Sequence, residues 1–345
     1  MTVAPDSLAA ALTATSVAVA AAVLLSALWD RGAGARRVAG RAATALLCLL
    51  TAVAAAGIWV NRQVDTWTSW SALLGRDPAA ADAAAPAAGP GGGRVVTLTV
   101  AGAASGLTLH VAAYLPAAYD RQPTERFPVV EALHGYPGSP AAWLNRLAAA
   151  RHLDQEINAG RMAPTVVLFP PQTPSPLLDT ECTNLVHGPQ AETFLTVDVP
   201  AAAAAQLRVR TDRAGWGLIG YSAGGYCATN LALRHPDRYA AAASLSGYAD
   251  PGITVGDGSE HTLNDDRWRL RHLPPPAVAL YLSSGRADRK AHHDAETLRC
   301  LARAPLAVTT AYVDGGGHSM SVWEAAEDPA FDWLSGWLGR PVPAT

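Results

Sequence analysis

Residues 218–225 read Leu218-Ile219-Gly220-Tyr221-Ser222-Ala223-Gly224-Gly225, an apolar run that ends on a serine set among glycines. The segment leading into it, from Gly215, is short, apolar and glycine-flanked, as a strand buried on both faces is. The segment behind it, Ala223 to Arg234, is rich in Ala and Leu and stops at His235-Pro236, the pattern of a helix and its end. Strand, serine and helix in immediate succession require a sharp turn. Gly220 and Gly224 carry no β-carbon to obstruct that turn, so the Ser222 hydroxyl is expected to stand above the sheet at a helix N-terminus. In this setting Ser222 reads as a nucleophile rather than as a helix cap.

A serine becomes nucleophilic beside a base that an acid holds in place, and on an α/β-hydrolase sheet the three follow in the order Ser, Asp or Glu, His. Ala277 to Leu282 has strand character and runs into Ser283-Ser284-Gly285-Arg286-Ala287-Asp288, which places Asp288 just past a strand's carboxyl end. The strand-like Ala307 to Val313 leads into Asp314-Gly315-Gly316-Gly317-His318. Three glycines before a histidine make a loop able to bring the imidazole over the serine. His318 is therefore expected to take and return the serine proton, and Asp288 to fix its tautomer. Asp294 and Asp314 are rival acids, although Asp314 looks like a turn residue at a strand end.

An oxyanion hole completes such a site. Phe127 to Leu133 reads as a strand and is followed by His134-Gly135-Tyr136-Pro137-Gly138-Ser139. The backbone N–H groups of Tyr136 and Ala223 are the expected donors. His134 is expected to hold the loop rather than act as a second base. Strand patterns near 94–100, 107–115, 127–133, 164–169, 215–221, 240–246, 277–282 and 307–313 alternate with helical patterns near 140–158, 198–208, 223–234, 290–304 and 329–338. That alternation predicts an α/β fold, a mostly parallel sheet with helices on both faces. Residues 246–276 carry few regular signals and are expected to form a loop on the substrate side. His134, Tyr136, Trp143 and Trp323 are candidates for the wall of an acyl pocket; core packing is an equal reading for each tryptophan.

With these parts in hand, residues 94–340 resemble the esterase D and mycolyltransferase branch of the α/β-hydrolases. More specific marks are Asp179-Thr180-Glu181-Cys182, Glu192-Thr193-Phe194-Leu195 with Asp198-Val199-Pro200, Gly224-Gly225-Tyr226-Cys227, and Gly317-His318-Ser319 with a later Trp323. The arrangement is similar to membrane-anchored actinobacterial proteins of that branch, and Lys290 as the single lysine among 26 basic residues fits a high-GC source. The resemblance implies acyl transfer through a serine, to water or to an envelope sugar or lipid hydroxyl. Mycolyltransferases carry charged sugar-contacting residues in the oxyanion loop, where this chain has Tyr136-Pro137-Gly138-Ser139. Trehalose as acceptor does not follow.

The N-terminal part has a different character. Ser7 to Trp29 is 23 residues without a charge and Ala42 to Val60 is another 19, both lengths suited to a bilayer crossing. Between them lie Arg31, Arg36, Arg37 and Arg41 against one acid, Asp30. The positive-inside rule puts this loop in the cytoplasm and everything after residue 60 outside. Residues 1–60 thus read as a transmembrane hairpin. A cleaved signal peptide is the rival reading, and the absence of Lys or Arg from the first eight residues argues against it. Residues 61–93 read as an interfacial segment holding Trp67 and Trp70, followed by an Ala/Pro/Gly tether, and 94–341 as the esterase domain.

Net charge −3 gives no signal for nucleic acid, since the arginine cluster is explained by topology. No cofactor motif is present, and no Cys or His spacing suits a metal. Cys48 falls within a span, which leaves Cys182, Cys227 and Cys300 in an oxidising compartment. Cys182 and Cys227 both belong near the active-site edge and are the preferred disulfide. The expected partners are a small-molecule or lipid ester and the bilayer; oligomeric state is left open. A serine esterase is the leading reading, an envelope acyltransferase the second, and a non-catalytic envelope-binding module the third.

Overall fold

The computed structural model describes residues 4–64, 67, 69–73, 92–175 and 177–344. The expected tether falls almost wholly on 74–91, outside the described residues. The chain divides into two compact units, Met1–Ala83 and Ala84–Thr345.

The first unit contains helices α1 (Leu8–Leu28), α2 (Gly34–Val64) and the short α3 (Trp70–Leu73). Both long helices are apolar and long enough to cross a membrane. They run antiparallel: Trp59 Nε1 donates to Thr15 Oγ1 at 2.9 Å near one end, and Arg41 Nε to the Trp29 carbonyl at 2.7 Å near the other. The arginines differ from expectation. Arg36, Arg37 and Arg41 lie within α2 rather than in a loop, because arginine is a good helix former and nothing interrupts the helix after Gly34. Arg37 and Arg41 pair with Asp30.

The second unit is built on an eight-stranded sheet of order β1-β2-β5-β4-β6-β7-β8-β9. Its strands are β1 (Arg94–Ala101), β2 (Thr108–Leu115), β4 (Val129–Leu133), β5 (Val166–Phe169), β6 (Trp216–Tyr221), β7 (Ala241–Leu245), β8 (Ala279–Gly285) and β9 (Ala307–Val313). β1, β2 and β5 pair antiparallel, and every other neighbour is parallel. β4 to β8 are buried at every position, which explains their continuous apolar sequence. Two short strands not expected from sequence, β3 (Glu125–Arg126) and β10 (Val342–Pro343), pair separately.

Helices α4 (Ala117–Arg121), α5 (Ala141–Asn145), α6 (Ala149–Asn158), α7 (Ala191–Thr193), α8 (Val199–Gln206), α9 (Ala223–Arg234), α10 (Asp266–His272), α11 (Arg289–Leu301) and α12 (Met320–Trp337) complete the unit. Successive β6 residues feed opposite cores: Leu218 packs with Tyr226, Phe194 and Tyr239, and Ile219 with Trp143, Trp323 and Phe331. After β4 the chain moves outward to β5, then returns to the other side of β4 for β6. This reversal opens a crevice at the carboxyl ends of β4 and β6, the place where such sheets bind ligands.

The helices depart from expectation at their ends. The helix expected over 140–158 is two, separated at Ala148, whose φ is 52°. The one expected from 198 begins at Ala191 and passes through a π-turn, Phe194–Asp198, which lets the chain continue into Pro200. α12 starts at Met320 and contains Pro329, which sequence reading takes as a helix start. Residues 246–276 are more regular than expected, because Asp265 caps α10 by accepting from the N–H groups of Arg267 and Trp268.

Candidate active site

Ser222 joins β6 to α9 with φ 55° and ψ −122°, outside the ordinary regions for an L-residue. The glycines make this turn possible. A β-carbon on Gly220 would lie 2.0 Å from the Gly224 carbonyl oxygen, and one on Gly224 would lie 2.2 Å from that of Leu133. Backbone bonds hold the turn from both sides, with Ser222 N–H donating to the Leu245 carbonyl and Gly225 N–H to that of Ser222.

Ser222 Oγ lies 2.8 Å from His318 Nε2, and His318 Nδ1 lies 2.6 Å from Asp288 Oδ2. His318 sits in the loop between β9 and α12; Asp288 follows β8 and caps α11, with Oδ1 accepting from Ala291 N–H. The rival acids are engaged elsewhere. Asp314 pairs with Arg286 at 2.8 Å, and Asp294 with Lys290 at 2.8 Å. The order carboxylate, imidazole, hydroxyl lets Nε2 accept the serine proton while Nδ1–H stays bonded to the acid.

Two rings fix the imidazole. Trp323 meets it edge-on at 5.1 Å, and Tyr248 stacks on it at 5.6 Å with its hydroxyl 3.4 Å from Nε2. Trp323 itself stacks on Tyr221, next to Ser222. Trp143, the other tryptophan considered for a pocket, is fully buried and packs against Tyr221 and Phe331. It is a core residue, since α5 turns it under the sheet edge. Tyr248 was not identified from sequence; it lies in a loop with no motif, and only the fold brings it to His318.

The β4–α5 loop abuts Ser222, as a β-carbon on Gly135 would come within 3.2 Å of Ser222 Cβ. Ala223 opens α9, so its N–H has no acceptor within the helix. His134 Nδ1–H donates to the Gly135 carbonyl at 2.8 Å. Burial pulls its pKa down to about 4, so the ring is neutral at physiological pH and holds the loop.

Beyond Ala223 a cleft is lined by His134, Tyr136, Gln172, Asp179, Glu181 and the cysteines Cys182 and Cys227, which are joined in a disulfide. The bond ties the loop after β5 to α9. Tyr136 hydroxyl donates to the Leu177 carbonyl at 2.9 Å, tying the same loop to the β4–α5 loop. Burial holds both the Asp179 and the Glu181 carboxyls above their ordinary values, and the nearby charges of Asp179 and Asp250 raise Glu181 further. Among the described residues no cluster of His, Cys, Asp and Glu suits a metal ion.

A family model described as "Putative esterase" matches residues 103–334. An uncharacterized protein of Corynebacterium glutamicum is 26% identical over 239 residues, 65% of this chain and 56% of that relative. The chain thus spans little more than half the length of that relative. The S-formylglutathione hydrolase of Agrobacterium tumefaciens superposes with a TM-score of 0.62 at 16% identity, over 74% of this chain and 99% of that one. MPT51 of Mycobacterium tuberculosis superposes with a TM-score of 0.55 at 18% identity, over 73% of this chain and 100% of that one. At these identities the two structures share its fold.

Proposed function

The chain belongs to the Esterase family, and from that premise we propose that it is a membrane-tethered serine esterase acting outside the cytoplasmic membrane through Ser222, His318 and Asp288. The observation that carries the reading is the unbroken relay from Asp288 Oδ2 through both imidazole nitrogens to a serine oxygen on a strained turn. Ser222 Oγ attacks the ester carbonyl carbon as its proton passes to His318 Nε2. The oxyanion faces the N–H groups of Tyr136 and Ala223. The tetrahedral intermediate expels the alcohol, which leaves with the proton from His318, and the acyl group stays on Ser222. Water, giving a proton to His318, then attacks the acyl carbon; the second tetrahedral intermediate breaks its bond to Ser222 Oγ, releasing the carboxylic acid, as His318 returns that proton to Ser222.

Fluorophosphonate labelling tests the reading. Wild-type protein is expected to form an adduct on Ser222 and to hydrolyse p-nitrophenyl esters, and His318→Ala is expected to lose both. A chain that takes no adduct is a binding module of the same fold. A second reading, transfer of the acyl group to an envelope sugar or lipid hydroxyl, uses the same acyl-enzyme and is supported by the fold shared with MPT51. Product analysis with added glycerol or trehalose separates the two, since transfer yields a new ester in place of free acid. Tethering rests on α1 and α2, both long and apolar enough for a bilayer, and the outside placement on the arginines between their apolar cores.

A further inference from the structure

The Asp179-Thr180-Glu181-Cys182 stretch, singled out in the sequence, has no part in the relay, yet the fold sets it beside Ala223. Glu181 is about nine-tenths buried on the wall of the cleft, and its Oε2 has no hydrogen-bond partner among the described residues. A buried carboxyl oxygen with nothing to bond is costly; Glu131 Oε2 and Asp266 Oδ2 share that state in the core, whereas Glu181 lines a cleft from which a ligand can supply the partner. Its surroundings specify what kind. Asp179 lines the same cleft and adds negative charge when ionised, and among the described residues no lysine or arginine lines it. Asp250, the other acid felt by Glu181, is already paired with Arg267 at 2.8 Å and Lys290 at 3.2 Å.

The position of the carboxyl is fixed rather than adaptable. Glu181 and Cys182 have φ 42° and 54°, and the Glu181 N–H donates to Asp179 Oδ1 at 3.1 Å. The disulfide then anchors the segment to the helix that begins at the nucleophile. An anionic group entering this cleft would meet two carboxyls and no cation. A hydroxyl would satisfy the orphan oxygen without compensating the charge that either carboxyl carries when ionised. A positively charged N–H donor does both, compensating charge and bonding the orphan oxygen.

We propose that the cleft is a cation subsite, in which Glu181 and Asp179 hold an ammonium group of the ester substrate while Ser222 attacks its carbonyl. The proposal rests on the esterase reading and names the substrate class for it: an ester with an ammonium on its acyl or its alcohol part. Glu181 is a binding residue here and takes no part in proton transfer.

Two matched pairs test it on the full-length protein, each differing by one charge. For the acyl part the pair is p-nitrophenyl 6-aminohexanoate against p-nitrophenyl heptanoate; for the alcohol part it is 6-aminohexyl butyrate against heptyl butyrate. In at least one pair the cationic ester is expected to show kcat/KM about tenfold higher or more, the size of one charge-assisted bond. Glu181→Gln is expected to shrink that ratio toward unity, and Asp179→Asn to shrink it less. The wild-type ratio is informative even if a variant does not fold. Equal kcat/KM within both pairs, or a preference that survives Glu181→Gln, overturns the cation subsite while leaving a working esterase. Turnover of none of the four esters, with no fluorophosphonate adduct on Ser222, overturns the esterase reading and this inference with it.

Discussion

Ser222 differs from an ordinary buried serine in its backbone before it differs in its partners. A positive φ at a residue with a β-carbon costs on the order of 1–3 kcal/mol, and two glycine contacts too close for any side chain hold it there. The turn aims Oγ away from the sheet toward a base that comes 96 residues later. Ser222→Ala and His318→Ala are each expected to lower kcat by on the order of 10³-fold or more, and the double variant by little further, because the residues act as a unit. Steady-state kinetics on a p-nitrophenyl ester checks this; additive losses would mean two independent functions. Asp288→Asn removes the charge facing Nδ1 and is expected to cost less than losing the serine, yet still on the order of 10²-fold or more. Asp294→Asn, whose carboxylate faces Lys290 and the Ala249 N–H, is expected to leave the rate near wild type. A severe loss with Asp294→Asn and none with Asp288→Asn would reverse the assignment. The convergence of Ser222, Asp288 and His318 was expected from sequence because each follows a strand with a local signature. Tyr248 and the orphan oxygen of Glu181 could not, since their surroundings arise only when separate loops converge.

The strands carried the clearest signal among the elements: all eight of the main sheet were expected within a few residues of where they lie, and for β4 to β8 full burial leaves an unbroken apolar run. The helix ends were less legible. Pro200 and Pro329 look like starting residues, yet a π-turn precedes the first and four well-buried residues of α12, Val322, Trp323, Ala326 and Glu327, precede the second. Tertiary packing overrode the local preference in both. β3 and β10 were missed since two residues carry no period. The loop following β5 depends on a covalent clamp more than on regular structure, and the clamp closes a separation of 45 residues. On a chain-entropy argument a loop of that size stabilises the fold by about 4 kcal/mol. Cys182→Ser with Cys227→Ser is therefore expected to lower the urea midpoint clearly and to loosen the cleft beside Ala223. Urea denaturation followed by tryptophan fluorescence reads the first effect, and the rate of fluorophosphonate labelling the second. An unchanged midpoint would show that packing alone holds the loop.

At the scale of the whole molecule the second unit carries buried acids whose titration couples to its stability. Burial pushes both Asp266 and Glu131 up to about 8, against ordinary values of 3.8 and 4.5; the Asn230 amide opposes the shift at Asp266 and the Tyr239 hydroxyl at Glu131. Each keeps its proton in the folded chain and gives it up in the unfolded one between its ordinary value and 8. Stability is thus greatest below that window and falls across it by up to about 1.4 kcal/mol per pH unit per group. The melting temperature is expected to drop from pH 5 to pH 8, and Asp266→Asn to flatten part of that slope; a melting temperature that rises over this range would contradict the assignment. The first unit raises a different question under the tethered reading, the side of the membrane on which the second unit works. The free cysteines provide a readout: Cys300 is exposed on the second unit, Cys48 lies within α2, and Cys182 and Cys227 are bonded to each other. In intact bacterial cells expressing the full chain, a membrane-impermeant maleimide is expected to label Cys300, and Cys300→Ser to abolish the signal. Labelling that appears only after lysis would put the domain inside, which would leave the arginines of α2 on the opposite side from the one proposed and exclude envelope esters as substrates.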